Sequence, residues 1–234
     1  MIFRWSMAIG RQRRKLLVTT AVLVGMVLLA RLFGANPDDL APYLAIPAFG
    51  VLVTALVIMF APSSRRPPAS FVITEGEFRT PLMGIIPLAG IAHLACLGVF
   101  VLYPVESPTA AVAVLLYVCY LRAQWHGVGL TLTPEGLRAD KYAGSMTVPW
   151  TALEPGQPGY EEGGVRLVLA HPELAGYTGV VLRRTVPADA VGVPAAFLAA
   201  AIRHYAAHPG ERAGIGTPEG HERLLAAIAR RGAA

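Results

Sequence analysis

GVGLTLTPEGLRADKYAGSMTVPWTALE, Gly127 to Glu154, is where this chain stops reading as a succession of apolar runs and starts reading as a folded sheet. Val128–Leu132 alternates apolar and polar residues, as a half-buried strand does. Thr133-Pro134-Glu135-Gly136 is a turn, and Leu137–Lys141 is a second strand. Ala143-Gly144 turns the chain again into a third strand, Ser145–Val148. This strand ends in Pro149-Trp150, with Ala152 and Leu153 leading on to Glu154.

Downstream, Pro155–Gly164 is a loop rich in proline and glycine. Val165–Ala170 and Gly179–Arg183 read as further strands. Ala195–Ala207, after Pro194, has helical spacing: Phe197, Ala201 and Tyr205 share a face with Leu198 and Ile202 beside them. Thr217-Pro218-Glu219 is a helix start, a capping hydroxyl followed by proline in the first turn. The last helix sets Leu224, Leu225 and Ile228 against Arg223, Arg230 and Arg231.

Upstream the pattern is different. The 234 residues are 54% apolar and only 15% charged, against about 25% charged in soluble domains. Met1–Lys15 is a basic head carrying Arg4, Arg11, Arg13, Arg14 and Lys15. Leu16–Phe33 follows, and at 1.5 Å per residue this length approaches the hydrocarbon thickness of a bilayer. Tyr43–Phe60 is a second apolar run, Gly84–Tyr103 a third, and Thr109–Leu121 a short fourth with Trp125 as an interfacial anchor. Residues 34–41 read as a turn, and 61–68, APSSRRPP, as a polar break that cannot lie in lipid. Between the second and third runs, Ser70–Pro81 reads as a strand or hairpin about Glu75-Gly76. Its VITEGEFR echoes TLTPEGLR at Thr131–Arg138. If the two are equivalent, the hairpin joins the later sheet and the third and fourth runs are an insertion.

The fold class expected is therefore an α-helical membrane protein with four transmembrane helices and a small α+β cytosolic domain. The divisions are residues 1–62 (head and spans at about 16–33 and 43–60), 63–82 (cytosolic loop with a short strand), 83–123 (spans at about 84–104 and 107–122), 124–208 (sheet domain) and 209–234 (C-terminal amphipathic helix). Arg65, Arg66, Arg79, Arg122 and the basic head fall on one side, so the positive-inside rule places both termini in the cytoplasm; heavy use of Ala, Gly, Pro and Arg suggests a GC-rich bacterial genome, and hence an inner membrane.

LTLTPEGLRADKYAGSMTVPWTAL, Leu130–Leu153, resembles the opening of bacterial pleckstrin-homology-like domains. The matching residues are Leu132, Thr133, Gly136, Leu137, Val148, Pro149, Trp150 and Leu153. The tail from Pro194 to Leu225 is similar to that of actinobacterial membrane proteins carrying this domain, so the resemblance covers roughly Trp125–Leu225. It implies a sheet or partial barrel capped by a C-terminal helix, beside transmembrane hairpins. The interval from Gln124 to His208 is short for a complete barrel of this type, which leaves room for Phe71–Thr80 to supply a strand.

Candidate chemistry is sparse. His204 and His208 have the i, i+4 spacing of a metal pair, with Glu211 or His221 as a third ligand, but Pro209 ends the helix and a solvated helix face explains the pair. His93 is an ionisable group in the third span, a proton or ligand site or a packing histidine. Cys96 and Cys119 read as inert packing residues. Trp150 reads as sheet core. Arg138, Lys141 and Arg166 are candidates for an acidic lipid headgroup, although scattered, and Arg183-Arg184 is the only tight basic pair of the sheet domain. No cofactor, metal, nucleic-acid partner or catalytic constellation is implied. The expected role is a membrane-anchored, non-catalytic interaction or scaffold module binding a protein partner, with a homo-oligomer open. The alternatives are a transport or channel component using His93 and, less favoured, a membrane enzyme.

Overall fold

The computed structural model describes residues 2–60, 68–81, 85–102, 114–115, 117–118, 121, 123–158, 160–161, 164–179, 185–187 and 192–232. The chain forms two compact units, each assembled from two stretches: Met1–Ser64 with Met83–Gly127, and Arg65–Leu82 with Val128–Ala234.

The first unit is helical. Helix α1 (Ile2–Leu32) runs unbroken through the basic head. The head is therefore the first turns of the span's own helix and not a separate segment ahead of residue 16. It contains no proline, and its arginines are good helix formers. Helix α2 (Pro37–Phe60) begins inside residues 34–41, which the sequence pattern presents as a turn. The Asn-Pro-Asp-Asp signal is instead a helix start. The Asp38 N–H donates to Asn36 Oδ1 (3.2 Å), and Asp38 and Asp39 sit in the first turn, where the helix dipole favours anions. Helix α3 (Ile85–Leu102) falls on the expected third span. Among the described residues, two stretches are long and apolar enough to cross a membrane, Ala8–Leu32 and Pro37–Ala55; in α3 the apolar stretch is shorter, Pro87–Val99. The expected fourth span lies largely outside the described residues, but 114–115, 117–118, 121 and 123–126 are helical.

The three helices pack through Val24, Val27, Leu44 and Leu102. A Cβ on Gly98 would lie 2.8 Å from Leu44 Cδ1 and 3.1 Å from Val24 Cγ1, so glycine here lets the helices pack closely without displacing those side chains. The outward faces remain apolar, with Val18, Val22, Met26 and Leu29 exposed on α1 and Tyr43, Ile46, Phe49 and Val53 on α2. A water-soluble bundle would carry charge there.

The second unit is α+β. Six antiparallel strands lie in the order β1-β2-β3-β4-β5-β8, and three more in the order β6-β7-β9. The large sheet uses β1 (Val72–Thr74), β2 (Glu77–Arg79), β3 (Gly129–Leu132), β4 (Gly136–Asp140), β5 (Gly144–Pro149) and β8 (Gly176–Gly179); the small one uses β6 (Tyr160–Glu161), β7 (Gly164–Arg166) and β9 (Thr185–Pro187). The three strands of Gly127–Glu154 are the centre of the large sheet. The Ser70–Pro81 hairpin joins them, with Phe78 opposite Leu132 and Arg79 opposite Thr131. Beyond that pair Thr80 extends the contact: its N–H donates to the Leu130 carbonyl (2.9 Å) and its hydroxyl accepts from the Leu130 N–H (2.9 Å). Pro81 has no N–H to continue the ladder.

The period-two alternation sorts the sheet into two faces. Phe78, Leu132, Leu137 and Val148 form one row across four strands, with Leu130, Ala139 and Met146 in the next row of the same face. All seven are buried. Helices α4 (Ala195–Ala207) and α5 (Pro218–Gly232) complete this core with Phe197, Leu198, Ala201, Ile202, Tyr205 and Leu224. The expected bounds of α4 match, and Thr217 caps α5, its hydroxyl accepting from the Gly220 N–H (3.0 Å). Phe71 and Phe78 from division 63–82 and Leu224 from division 209–234 thus share one core with buried residues of 124–208. Two strand expectations differ. Val165–Ala170 forms only β7 and a single bridge from Leu169 to Leu153, and the strand near Gly179 begins earlier, at Gly176, with 180–184 outside the described residues.

Candidate functional site

On the other face of the large sheet, Arg79, Thr131, Arg138 and Thr147 form a row across four strands. The two arginines are not an open basic patch. Each pairs with the acid two residues along its own strand, Arg79 Nε to Glu77 at 2.7 Å and Arg138 Nη2 to Asp140 at 3.1 Å. Exposed pairs of this kind contribute little stability, but they do neutralise the face. Lys141 begins the next turn, its N–H donating to the Gly144 carbonyl (2.8 Å), and partial burial lowers its pKa. Arg166 lies on β7 of the small sheet. Arg138 lies on β4 and Lys141 in the turn after it, while Arg166 belongs to a different sheet. Arg183 and Arg184 lie outside the described residues.

Trp150 is core. Its indole N–H donates to the Thr133 carbonyl (2.9 Å), which closes the Thr133–Gly136 turn onto the end of β5. Its ring lies 6.1 Å from Tyr205 and beneath the Arg212 guanidinium, 5.5 Å from the ring centroid. Arg212 also caps α4, donating from Nε to the Tyr205 carbonyl (2.8 Å) and from Nη2 to that of Ala206 (3.0 Å). The same corner buries the Tyr205 hydroxyl, whose pKa is pushed up to about 12, first by burial and then by Glu211, with Arg223 opposing.

His204 does not lie on a solvated helix face, whereas His208 is half-buried at the C-cap of the same helix. His204 is buried, 3% exposed, because it falls seven residues after Phe197 on the apolar stripe of α4. Its Nε2–H donates to Glu211 Oε2 (2.9 Å) while its Nδ1 has no partner among the described residues. That bond holds the Glu211 carboxyl below its ordinary range. His208 stacks on the His204 ring at 4.7 Å and gives its Nδ1–H to the His204 carbonyl (2.7 Å). No group of three or more His, Cys, Asp or Glu positioned for a metal occurs among the described residues.

His221 belongs to a different cluster from the His204 pair. It lies edge-on to Phe71 and Phe78, and its Nε2 accepts from the Phe71 N–H (3.3 Å), with the Ser70 hydroxyl at 3.4 Å. Sequence spacing carried the signal, since 221, 224, 225 and 228 are one face of α5. His93 stacks on Tyr117 at 5.7 Å within the helical unit. Cys96 is exposed there, and Cys119 is outside the described residues.

Comparison with family models, with curated proteins and with solved structures finds no match to this chain.

Among the described residues, one sheet edge combines backbone positions open to pairing with exposed apolar side chains, and sequence reasoning placed it only in part. β8 ends the six-strand order and pairs with β5 alone among the described residues. All four of its residues are exposed, as is Leu174 in the turn before it. Tyr177 adds an exposed aromatic ring. Such an edge presents a row of backbone donors and acceptors to an added strand.

Burial of His221 predicts that the second unit loses stability in acid. Desolvation, only partly opposed by Glu222, holds its pKa below the ordinary value. The imidazole is neutral in the fold and gains a proton more readily when unfolded, so stability falls as pH drops below about 6.5. Glu211, held low, adds a loss in the same direction at more acid pH. We expect His221→Gln, whose amide oxygen can still accept from the Phe71 N–H, to flatten the fall in urea midpoint between pH 7 and pH 5.5. An unchanged slope would assign that acid sensitivity to another group.

Proposed function

We propose that this chain is a membrane-anchored interaction module with no catalytic role, in which a pleckstrin-homology-like sheet domain on the cytoplasmic side binds a protein partner by strand addition. The observation that carries this reading is β8: a terminal strand, exposed along its length, flanked by exposed Leu174 and Tyr177. Strand addition draws affinity from main-chain hydrogen bonds and specificity from side chains such as these. The row of self-paired arginines on the sheet face favours this edge over a headgroup site at Arg138, Lys141 and Arg166.

Chain geometry supports a four-span topology with both termini on one side. The Arg79–Thr131 pairing brings the two ends of the 83–127 insert together, so an insert that enters a bilayer must cross it an even number of times. Within the helical unit, Arg13 Nη2 donates to the His126 carbonyl (2.9 Å) and Arg14 Nε to that of Trp125 (3.2 Å), which sets the basic head level with the end of the last helical segment. Basic side chains at a helix C-terminus also complement its dipole.

A photo-crosslinking residue at Thr178, in intact membranes, should give a discrete adduct that is absent with the same residue at Arg230. Adding Tyr177→Asp should abolish the adduct while hydrogen-exchange protection of β3–β5 persists. Equal adducts at both positions, or no effect of Tyr177→Asp, would remove β8 as the binding edge.

A further inference from the structure

We propose that the outward face of α1 binds one anionic phospholipid, its phosphate held by Arg11, Arg14 and Lys15 and an acyl chain laid along Val18, Val22, Met26 and Leu29. The proposal rests on the membrane reading above and deepens it by naming a ligand class. Positions 11, 14, 15, 18, 22, 26 and 29 recur at intervals of three and four, so they share one helix face. Every one of them is exposed. Leu17, Val24 and Val27, on the opposite side of the same helix, are buried against its neighbours.

The face changes character once along its length, from three cations to four apolar side chains. The sequence alone shows five basic residues in the head. The structure separates four of these, Arg11, Arg13, Arg14 and Lys15, by role. Arg13 turns away from this face, donating to the Gly10 and His126 carbonyls. Arg11 and Lys15 bond no described residue. Arg14 is held in place by Nε donating to the Trp125 carbonyl and by its guanidinium lying 5.3 Å from the Trp125 ring centroid. Trp125 is 41% exposed, the half-wet position an indole takes at a membrane interface.

The dimensions agree. From Lys15 to Leu29 the helix rises roughly 21 Å, more than the roughly 15 Å half-thickness of the hydrocarbon core that one acyl chain spans. A free phosphate would use the cations and leave the apolar stripe without a role. A lipid uses both, and its charge complements a face that carries no acidic residue between Arg11 and Leu29.

The test uses the full chain reconstituted in phosphatidylcholine liposomes containing a minority of phosphatidylglycerol. Native mass spectrometry counts the lipids retained, and an alkaline carbonate wash checks integration. The double variant Arg11→Gln/Lys15→Gln leaves Arg14 in place, because Arg14 also bonds Trp125. The control Arg138→Gln/Arg230→Gln loses the same charge from the sheet unit. We expect wild type and control to retain phosphatidylglycerol selectively and the α1 variant to lose that selectivity about tenfold, all three remaining carbonate-resistant. Equal selectivity in all three proteins overturns the site and leaves the membrane reading standing. Displacement of the lipid by inorganic phosphate overturns it in favour of a plain anion site. Release of the wild-type chain by carbonate overturns the membrane reading and the site with it.

Discussion

Phe78→Ala lowers the stability of the sheet unit by about 3–5 kcal/mol, the usual cost of truncating a buried aromatic. Phe78 is fully buried, with ring centroids of Phe71, Tyr205 and His221 at 5.9, 6.3 and 5.6 Å. It also begins the apolar row through Leu132, Leu137 and Val148, so its loss opens a cavity between sheet and helices. The measurement is hydrogen exchange of β3–β5 amides in the detergent-solubilised full chain. These amides lie on the far side of the helical insert in sequence, and their protection should fall with Phe78. Unchanged protection would mean that the hairpin is an ornament on a domain complete without it.

Gly216→Ala should cost about 2–5 kcal/mol, combining roughly 1–2 for a left-handed non-glycine residue with 1–3 for overpacking. Gly216 has φ +87°, and a Cβ there would collide with the backbone of Gly76 and Glu77. The turn between β1 and β2 is therefore docked against the segment leading into α5, and neither backbone can retreat cheaply. Gly156 separates the two contributions. It has φ +80° but open space around it, so Gly156→Ala carries the conformational cost alone. If the two variants lose the same stability, the close approach at Gly216 contributes nothing.

Much of the local structure was legible. Helix α4 and the start of α5 followed from apolar spacing, Pro194 and the Thr217-Pro218 cap. The meander β3–β5 followed from alternation and from turns at Thr133–Gly136 and Ala143-Gly144. The Gly34–Ala41 stretch was misread because Asn-Pro-Asp-Asp signals a turn and a capped helix start equally well, and the two are told apart only by the residues downstream. The strand at Gly176 was missed because Gly176 and Gly179, poor strand formers, leave only Tyr177 and Thr178 between them to favour a strand, too short a run to read without the pairing to β5.

Of the candidate site residues, Trp150 read as core and is core. His204 was weighed as half of a metal pair against a solvated helix face, and His221 as a possible third ligand, although their spacing from Phe197 and Leu224 already placed them on buried stripes. Burial of a histidine needs a partner within reach, and the partners, Glu211 and the Phe71 N–H, are set by backbone turns that spacing does not encode.

Periodicity, caps and turn residues are local, and they determined the helical first unit, the central strands and the two closing helices from the sequence alone. Only the tertiary structure decided that Phe71–Thr80 belongs to the same sheet, that the two units are each woven from two stretches of chain, and which cations of the basic head face outward. A ladder bond between Phe78 and Leu132 leaves no mark on either segment by itself. Closing a long insert costs entropy that grows only slowly with its length, so the chain can place a helical insertion inside a sheet domain with no stronger mark in the sequence than the VITEGEFR echo and the shortness of the Gln124–His208 interval.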